Sequence, residues 1–321
     1  MRRLTVVVLA WFALVSGIVA CAQTYPNRPI RFVVSVAPGG TQDANARAVA
    51  AQLSSQIGQT IVVDNRGGAS GIIGTEIVAK AAPDGYTLLY AATAFVITAS
   101  VFRKLPYDIS KDFAPITKIA ASEGDLLLVH PSVQAHSVKE LIVLAKTKQL
   151  SYSSPGIGNS LHLAMETFNL RAGTHMLHVP YKGAGPALNA LLANEVQAMF
   201  IPPTVAVANV KAGRLRALGY SGPKRLEALP DVPTIIEAGL PGFQKPPGWQ
   251  ALFAPAKTPG TIIQKLYTET YRALQVPRLR EYLLAAGFDP AGNPPAQFEK
   301  EFHADIKRYA ELVRAAKIAP Q

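Results

Sequence analysis

Residues 33–47 read Val-Val-Ser-Val-Ala-Pro-Gly-Gly-Thr-Gln-Asp-Ala-Asn-Ala-Arg. The β-branched run ends at Pro38-Gly39-Gly40, and an Ala-rich helical pattern begins at once near Thr41. This order predicts a strand, a tight turn and the N-terminus of a helix. Glycine lets a guest approach the backbone closely, and the first N–H groups of a helix, with the positive end of its dipole, favour an anion.

The N-terminal residues have the pattern of a secretory signal. Arg2-Arg3 precede an apolar stretch at 4–19, which is too short to prefer spanning a membrane, and Ala20-Cys21-Ala22 follows it. Cleavage after Ala22 predicts a soluble, periplasmic mature chain without cysteine, which excludes disulfides, thiol catalysis and cysteine-ligated zinc. The alternative is a lipoprotein anchored at Cys21, because residues 18–21 also resemble a lipobox.

The charge balance is basic, with 32 Lys and Arg against 21 Asp and Glu and a formal net charge of +11. The cations are scattered, and in helical patterns such as 299–308 they alternate with acids. No basic run is interleaved with aromatic residues in the way that nucleic-acid binding favours. We therefore expect a cationic surface that attracts small anions. We also expect a monomer, because the motifs described below divide between two lobes of one chain.

Strand-like and helix-like segments alternate along the chain, which is typical of α/β proteins with mostly parallel sheets flanked by helices. The length allows a core shared between two lobes. Residues 151–220 form an α/β unit of their own, and 221–250 are irregular. The predicted strands include 30–37, 60–64, 86–90, 126–129 and 249–254, and the predicted helices include 42–57, 71–82, 160–171, 258–275, 277–286 and 295–316.

Three loops at the carboxyl ends of predicted strands are candidate ligand-binding elements. In open α/β sheets this edge is where ligands collect. Each loop has the alternative of an ordinary turn with a helix cap, and the carboxylate of Asp43 has the alternative of complementing its own helix dipole. The loops are Pro38–Asp43, with Gly39, Gly40, Thr41 and Asp43; Ser153–Ser160, with Ser154, Gly158, Asn159 and Ser160; and Tyr181–Gly185.

Enzyme signatures are mostly absent from the sequence. Leu161 occupies the place of the third glycine of a dinucleotide fingerprint that begins at Gly156, and neither a Walker A motif nor a G-x-S-x-G elbow occurs. His175 and His178 face opposite sides of a predicted strand, which disfavours joint metal ligation. A secreted hydrolase using Ser154 or Ser160 with His162 remains an alternative, and a basic envelope-associated structural protein is a third. No cofactor is expected.

Several motifs together resemble the Bug receptors, the extracytoplasmic solute-binding proteins of tripartite tricarboxylate transporters. The resemblance implies a non-enzymatic receptor with a two-lobed, type II periplasmic-binding-protein fold that closes on a carboxylate and serves a separate membrane permease. It places lobe one at 25–124 plus 250–321 and lobe two at 125–249. The motifs are Tyr25–Ile30, Pro38-Gly39-Gly40 with Asp43, Ala82–Leu88, Val179–Gly183, and Leu229–Thr234 with Glu237-Ala238-Gly239.

The resemblance also implies that the carboxylate is held by backbone N–H groups, hydroxyls and water. That role falls on Gly39, Gly40 and Thr41 in one lobe and on Ser154, Gly158, Asn159 and Ser160 in the other. The chain departs from the family where an acid often follows Met199-Phe200, because Ile201-Pro202-Pro203 stands there. A second departure is Ser70, where a glycine is frequent. The first departure predicts a carboxylate without an amino group, whose apolar body packs on Phe200 and Pro202, with Tyr181 nearby.

Overall fold

A computed structural model describes residues 25–316 other than 244, 246 and 247, together with residue 318. The predicted signal and its cleavage site therefore lie outside the described residues. Within the described part of the chain, no helix combines the length and apolarity that crossing a membrane requires.

The described elements alternate as the sequence predicts. The strands are β1 (Ile30–Val34), β2 (Ile61–Asn65), β3 (Thr87–Ala92), β4 (Phe113–Ser122), β5 (Leu126–Val129), β6 (Ser151–Ser154), β7 (Leu177–Pro180), β8 (Ala198–Ile201), β9 (Arg216–Tyr220), β10 (Gly248–Pro255) and β11 (Asp289–Pro290). The helices are α1 (Thr41–Ile57), α2 (Ile72–Ala79), α3 (Ala94–Val101), α4 (Val138–Thr147), α5 (Ser160–Ala172), α6 (Ala184–Leu192), α7 (Pro203–Lys211), α8 (Gly260–Leu274), α9 (Pro277–Ala285) and α10 (Pro295–Ala315). A short 3-10 turn, Ala69–Gly71, precedes α2.

The strands form two sheets. The first has the order β11-β4-β10-β3-β1-β2 and the second has the order β7-β6-β8-β5-β9. The chain passes from the first sheet to the second between β4 and β5, and it returns between β9 and β10. The segments that leave β4 and β9 lie side by side, because Asp125 N–H donates to Ser221 Oγ at 2.7 Å and Ser221 N–H donates to the Asp125 carbonyl at 2.9 Å.

Both sheets are mixed, which corrects the prediction of mostly parallel sheets. In the first sheet β1 is parallel to β2 and β3, but β10 is antiparallel to β3 and β4. In the second sheet β6 is parallel to β7 and β8, but β5 is antiparallel to β8 and β9. The reason is connectivity: strands that follow a crossover helix return parallel, whereas β5 and β10 enter their sheets directly from the other sheet.

Helices cover both faces of the first sheet, so β1 is buried on both sides. Ile30, Phe32 and Val34 face the core beneath α1, and Val33 faces the opposite core with Phe253. These four side chains have zero exposed fraction, whereas Arg31, the fifth residue of β1, is partly exposed. Burial on both faces explains why residues 32–34 are a continuous apolar run. The burial fixes the position of the turn that follows β1.

Candidate functional site

The N-terminus of α1 is open to solvent. Gly40 precedes the helix with φ −86° and ψ 168°, and no side chain caps it. Gly39 has φ +90° and, like Gly40, is exposed, and a Cβ on either glycine would meet no atom within 4 Å. Among the described residues, the N–H groups of Gly40 and Thr41 and the Thr41 hydroxyl have no acceptor. These donors are therefore available to an anion.

Asp43 stabilises the turn from within. Its carboxylate is 4 % exposed, accepts a hydrogen bond from Gly39 N–H at 2.9 Å and lies 3.0 Å from Arg47 Nε. Burial raises the pKa of Asp43, but the Gly39 hydrogen bond and the interaction with Arg47 outweigh it and hold the pKa below its usual range. Of the two predicted roles of Asp43, the geometry supports the one toward its own helix.

A buried polar network anchors α1 to the sheet beneath it. Asn45 Nδ2 donates to Gln250 Oε1 at 3.2 Å, and the Tyr90 hydroxyl donates to the same oxygen at 2.7 Å. Gln42 Nε2 donates to the Tyr90 carbonyl at 2.8 Å. Sequence reasoning missed this network, because Asn45 and Gln250 are 205 residues apart and no local pattern pairs them.

Ser154 supports the turn between β6 and α5 rather than offering its hydroxyl to a ligand. The residue has zero exposed fraction, and its Oγ lies 2.6 Å from His178 Nε2. The same oxygen donates to the Gly156 carbonyl at 3.1 Å and accepts from Gly156 N–H at 3.2 Å. A hydroxyl has one proton and two lone pairs, so these contacts use all of them. These contacts do not support the predicted role of Ser154 as a ligand donor, which stays a prediction.

Two further predicted donors of this turn are also engaged locally. Gly158 N–H donates to His162 Nδ1 at 3.3 Å. Asn159 caps α5, since its side-chain oxygen accepts from Leu161 N–H at 2.9 Å, and its own N–H donates to the Gly156 carbonyl at 3.3 Å. Gly158 and Asn159 therefore shape the turn. The hydroxyl of Ser160, the first residue of α5, has no partner among the described residues, so it is the predicted donor that stays available.

His162 and His178 stack face to face beneath the turn, with ring centroids 3.9 Å apart and planes at 16°. Burial lowers the pKa of His162 to about 3, and the neighbouring His178 contributes to the shift. Burial also lowers the pKa of His178 to about 4. Both rings are therefore neutral near pH 7. From the sequence alone, His178 is considered only as a metal ligand together with His175, and it is not paired with His162.

The hydrolase alternative named the wrong imidazole for Ser154. The ring beside the Ser154 hydroxyl is that of His178 and not that of His162. In the described part of the chain, neither imidazole bonds to a carboxylate of the kind that orients a catalytic histidine. The buried hydroxyl and this missing acid both weigh against a nucleophilic role for Ser154.

The three remaining residues predicted to contact a ligand, Tyr181, Phe200 and Pro202, differ in burial and in their partners. The Tyr181 hydroxyl donates to Glu195 Oε2 at 3.3 Å. Phe200 has zero exposed fraction and packs against Phe168 and Phe243, with ring centroids 6.4 and 5.9 Å away. Its ring fills the core of the second sheet, which does not support the predicted contact between Phe200 and a ligand. Pro202 is partly exposed at the end of β8 and remains available.

The β6–α5 turn contacts elements of the first sheet. The Ser70 hydroxyl donates to the Ile157 carbonyl at 3.2 Å, and a Cβ on Gly158 would lie 3.7 Å from Val101 Cγ2. Among the described residues, no hydrogen bond or ion pair joins this turn directly to the residues at the start of α1. The two sets of donors are thus separate surfaces on the two sheets.

Comparison with known proteins identifies the family. The model of the tripartite tricarboxylate transporter family receptors matches residues 45–318. BugT of Bordetella pertussis is 36% identical over 316 residues, which cover 96% of this chain and 95% of BugT. Two solved structures are also similar. Rpa4515 of R. palustris, determined with adipate, is 34% identical, with a TM-score of 0.86 over 92% of this chain and 100% of that one. MatC of Rhodopseudomonas palustris, with bound malate, is 32% identical, with a TM-score of 0.82 over 90% and 100%. The predicted resemblance is confirmed, and the chain belongs to the tripartite tricarboxylate transporter family of receptors.

Proposed function

We propose that the protein is a periplasmic receptor that captures a small carboxylate between its two sheets and delivers it to a membrane permease. The observation that carries this proposal is the open N-terminus of α1, where Gly40 and Thr41 present unpaired N–H groups and a free hydroxyl. An anion stabilises such a helix end through hydrogen bonds and the helix dipole. The adipate and malate bound by two relatives are carboxylates, which supports the same chemistry here.

The two sheets correspond to two lobes on this proposal. Lobe one comprises 25–124 plus 250–321, and lobe two comprises 125–249. The paired crossings at Asp125 and Ser221 are the segments that bend when the lobes close. Ser160 and Pro202 then approach the ligand from lobe two, opposite the start of α1.

The solute lacks an ammonium group. A desolvated ammonium needs an anionic or well-placed acceptor. Asp43 is engaged by Gly39 and Arg47, and the end of β8 continues as Ile201-Pro202-Pro203 without an acid. Asp125, near the same edge, forms a buried ion pair with Lys245. A mono- or dicarboxylic acid fits these surroundings better than an amino acid.

Titration calorimetry tests this function on protein that has been unfolded, dialysed and refolded to remove any bound solute. We expect saturable binding of one acid per chain from a panel that includes adipate, malate and benzoate. Mass spectrometry of small molecules released from protein purified from its native host identifies the solute. The proposal is wrong if no acid binds and no acid is released.

The same refolded protein distinguishes the receptor from the hydrolase alternative. A receptor binds an acid without changing it, whereas a hydrolase turns over an ester of that acid. We expect no hydrolysis of p-nitrophenyl esters above the rate of a Ser154→Ala variant. Turnover that depends on Ser154 and His178 would favour the hydrolase.

A further inference from the structure

The stacked imidazoles belong to a cluster that extends from α5 to the turn before it. The Tyr152 ring lies 4.9 Å from the His178 ring and 6.3 Å from the His162 ring, and all three planes agree within 21°. The Tyr152 hydroxyl donates to Glu166 of α5, and Asn169 Nδ2 donates to the same carboxylate oxygen at 3.3 Å. The Glu166 carboxylate therefore fixes the Tyr152 side of the cluster to α5, and the imidazole side contacts the β6–α5 turn.

Each imidazole makes one hydrogen bond to the turn, and these bonds define the tautomers. His162 Nδ1 accepts from Gly158 N–H, so the proton of the neutral ring is on Nε2. Ser154 Oγ lies 3.1 Å from the Gly156 carbonyl and 2.6 Å from His178 Nε2, and its single proton serves one of them. We assign the proton to the carbonyl and the donor role to His178 Nε2, because this arrangement satisfies both contacts. One ring thus accepts from the turn and the other donates to it.

The turn needs this support because its backbone is unusual. Gly156 has φ +140° and Gly158 has φ +76°, and two glycines leave the segment with a large conformational entropy to lose. The two imidazoles bond to residues on either side of Ile157, the residue that accepts the hydrogen bond from Ser70. Their bonds thus fix the part of the turn that contacts the first sheet and that leads into Asn159 and Ser160.

We propose that His162 and His178 are positioning residues of the solute-binding site, which hold the β6–α5 turn in the conformation that presents Ser160 and meets Ser70. This inference rests on the proposed function, since the turn is placed opposite the carboxylate site. The imidazoles act through hydrogen bonds to the main chain and to Ser154, without touching the solute. A carboxylate side chain could accept from Gly158, but it would place a negative charge beside the site for an anion, whereas a neutral imidazole does not.

The first test needs no solute. Nitrogen-15 NMR of histidine-labelled protein should show His162 and His178 as neutral Nε2–H tautomers from pH 5 to pH 8. Amide hydrogen exchange at Gly158 should be slow in the wild type and fast in His162→Phe, which keeps an aromatic ring but has no acceptor. His162→Asn should restore slow exchange, because its Oδ1 is as many bonds from Cα as Nδ1 is. Fast exchange in the wild type, or Nδ1–H tautomers, would overturn the proposal.

The second test measures binding of adipate, or of whichever acid the calorimetric panel shows to bind. His178→Phe keeps the stack but loses the donor, and we expect affinity to fall about tenfold or more, the effect of one hydrogen bond lost next to a buried polar group. His178→Gln should bind within about threefold of the wild type, because its Nε2 is as many bonds from Cα as the imidazole Nε2. His175→Gln, at an exposed position three residues away, is the matched control and should bind like the wild type.

The outcomes separate the two proposals. If the wild type binds no acid but the NMR and exchange results are as expected, the proposed function fails and the hydrogen-bond assignment stands. If His178→Phe folds and binds as tightly as the wild type, or if His178→Gln is as weak as His178→Phe, the positioning role is refuted. If His178→Phe does not fold, the comparison of His162→Phe with His162→Asn decides through the same binding measurement.

Discussion

The Ser70 hydroxyl donates a hydrogen bond to the Ile157 carbonyl at 3.2 Å, and this bond joins a turn beside the first sheet to a turn of the second. Ser70 has φ +54°, a left-handed conformation that is uncommon for residues other than glycine. Its own carbonyl accepts from Thr98 Oγ1 at 3.4 Å, so the turn is tied to α3 as well. Separation of the two sheets at this point would break the Ser70–Ile157 bond.

Replacement of Ser70 by alanine should speed solute release. The variant lacks the bond between the sheets but keeps the left-handed conformation, so we expect affinity to fall by about twofold to tenfold, the effect of one net hydrogen bond. Stopped-flow fluorescence measures the dissociation rate. Ser55→Ala, at an exposed helical serine, is the control. An unchanged dissociation rate in Ser70→Ala would show that the bond does not oppose opening.

Replacement of Gly40 by valine should weaken solute binding without unfolding the protein. Gly40 has an extended backbone and open space around it, so a β-branched side chain fits, yet it covers the first N–H groups of α1. We expect at least a tenfold loss of affinity, roughly the effect of two lost hydrogen bonds, and little change in melting temperature. Gly260→Val, at the open start of α8, is the control. Gly158→Val is a poorer test than Gly40→Val because φ +76° strains any side chain there.

Replacement of Asp43 by asparagine should reveal a stabilising charge. The folded pKa lies below the usual value of 3.8, so the charge contributes stability above that value and the contribution is lost as pH falls through the folded pKa. At pH 7 we expect the variant to be less stable by about 1 kcal/mol, because Asn still accepts from Gly39 but no longer complements the dipole. Denaturant titrations from pH 7 to pH 3 should show this difference shrinking below pH 4.

The same Asp43→Asn variant tests the contact with the solute. Because the carboxylate is directed to its own turn, calorimetry should show unchanged or slightly tighter binding of an acid. A large loss of affinity would mean that Asp43 touches the solute.

Matched pairs of acids test the predicted absence of an ammonium site. Adipate should raise the melting temperature more than 2-aminoadipate, and succinate more than aspartate, because no free carboxylate of the described loops awaits the ammonium. A solute at 100 times its dissociation constant adds about 2.7 kcal/mol of stability, which a thermal-shift assay detects. Tighter binding of the amino acids in both pairs would contradict the prediction.

The sequence predicts elements well where apolar periodicity and turn residues agree. Helix α1 was expected at 42–57 and is found at Thr41–Ile57, and α5 was expected at 160–171 and is found at Ser160–Ala172. Helix α3 was missed because its side chains are buried on most sides, so it has no polar face to reveal a helical period. The prediction of mostly parallel strands was wrong for part of each sheet, because a hydrophobic pattern does not indicate whether a strand runs parallel or antiparallel to its neighbour.

The predicted site residues stay a prediction, but the structure shows which of their polar groups are engaged within the protein. The glycines and hydroxyls of both turns are where the motifs place them, yet Ser154 and Gly158 use their donors on residues of the protein itself. The contacts of His178 with Ser154 and His162 were missed because these partners are 24 and 16 residues earlier in the sequence and meet it only through the pairing of β6 with β7 and the packing of α5. The burial of Phe200 was not foreseen, because an apolar residue at a strand end suits a pocket and a core equally well.

The first turns of helices α1 and α5 differ in how their N–H groups are bonded. This difference bears on how a bound solute is signalled at the protein surface. Asn159 satisfies the first turn of α5 from within the chain, whereas the first turn of α1 awaits an outside acceptor. If the solute is that acceptor, the loaded receptor has hydrogen bonds at the start of α1 that the empty receptor leaves to water. On the proposed function, the polar groups exposed at this helix end would then differ between loaded and empty receptors, which is a difference that a membrane partner could recognise without contacting the solute.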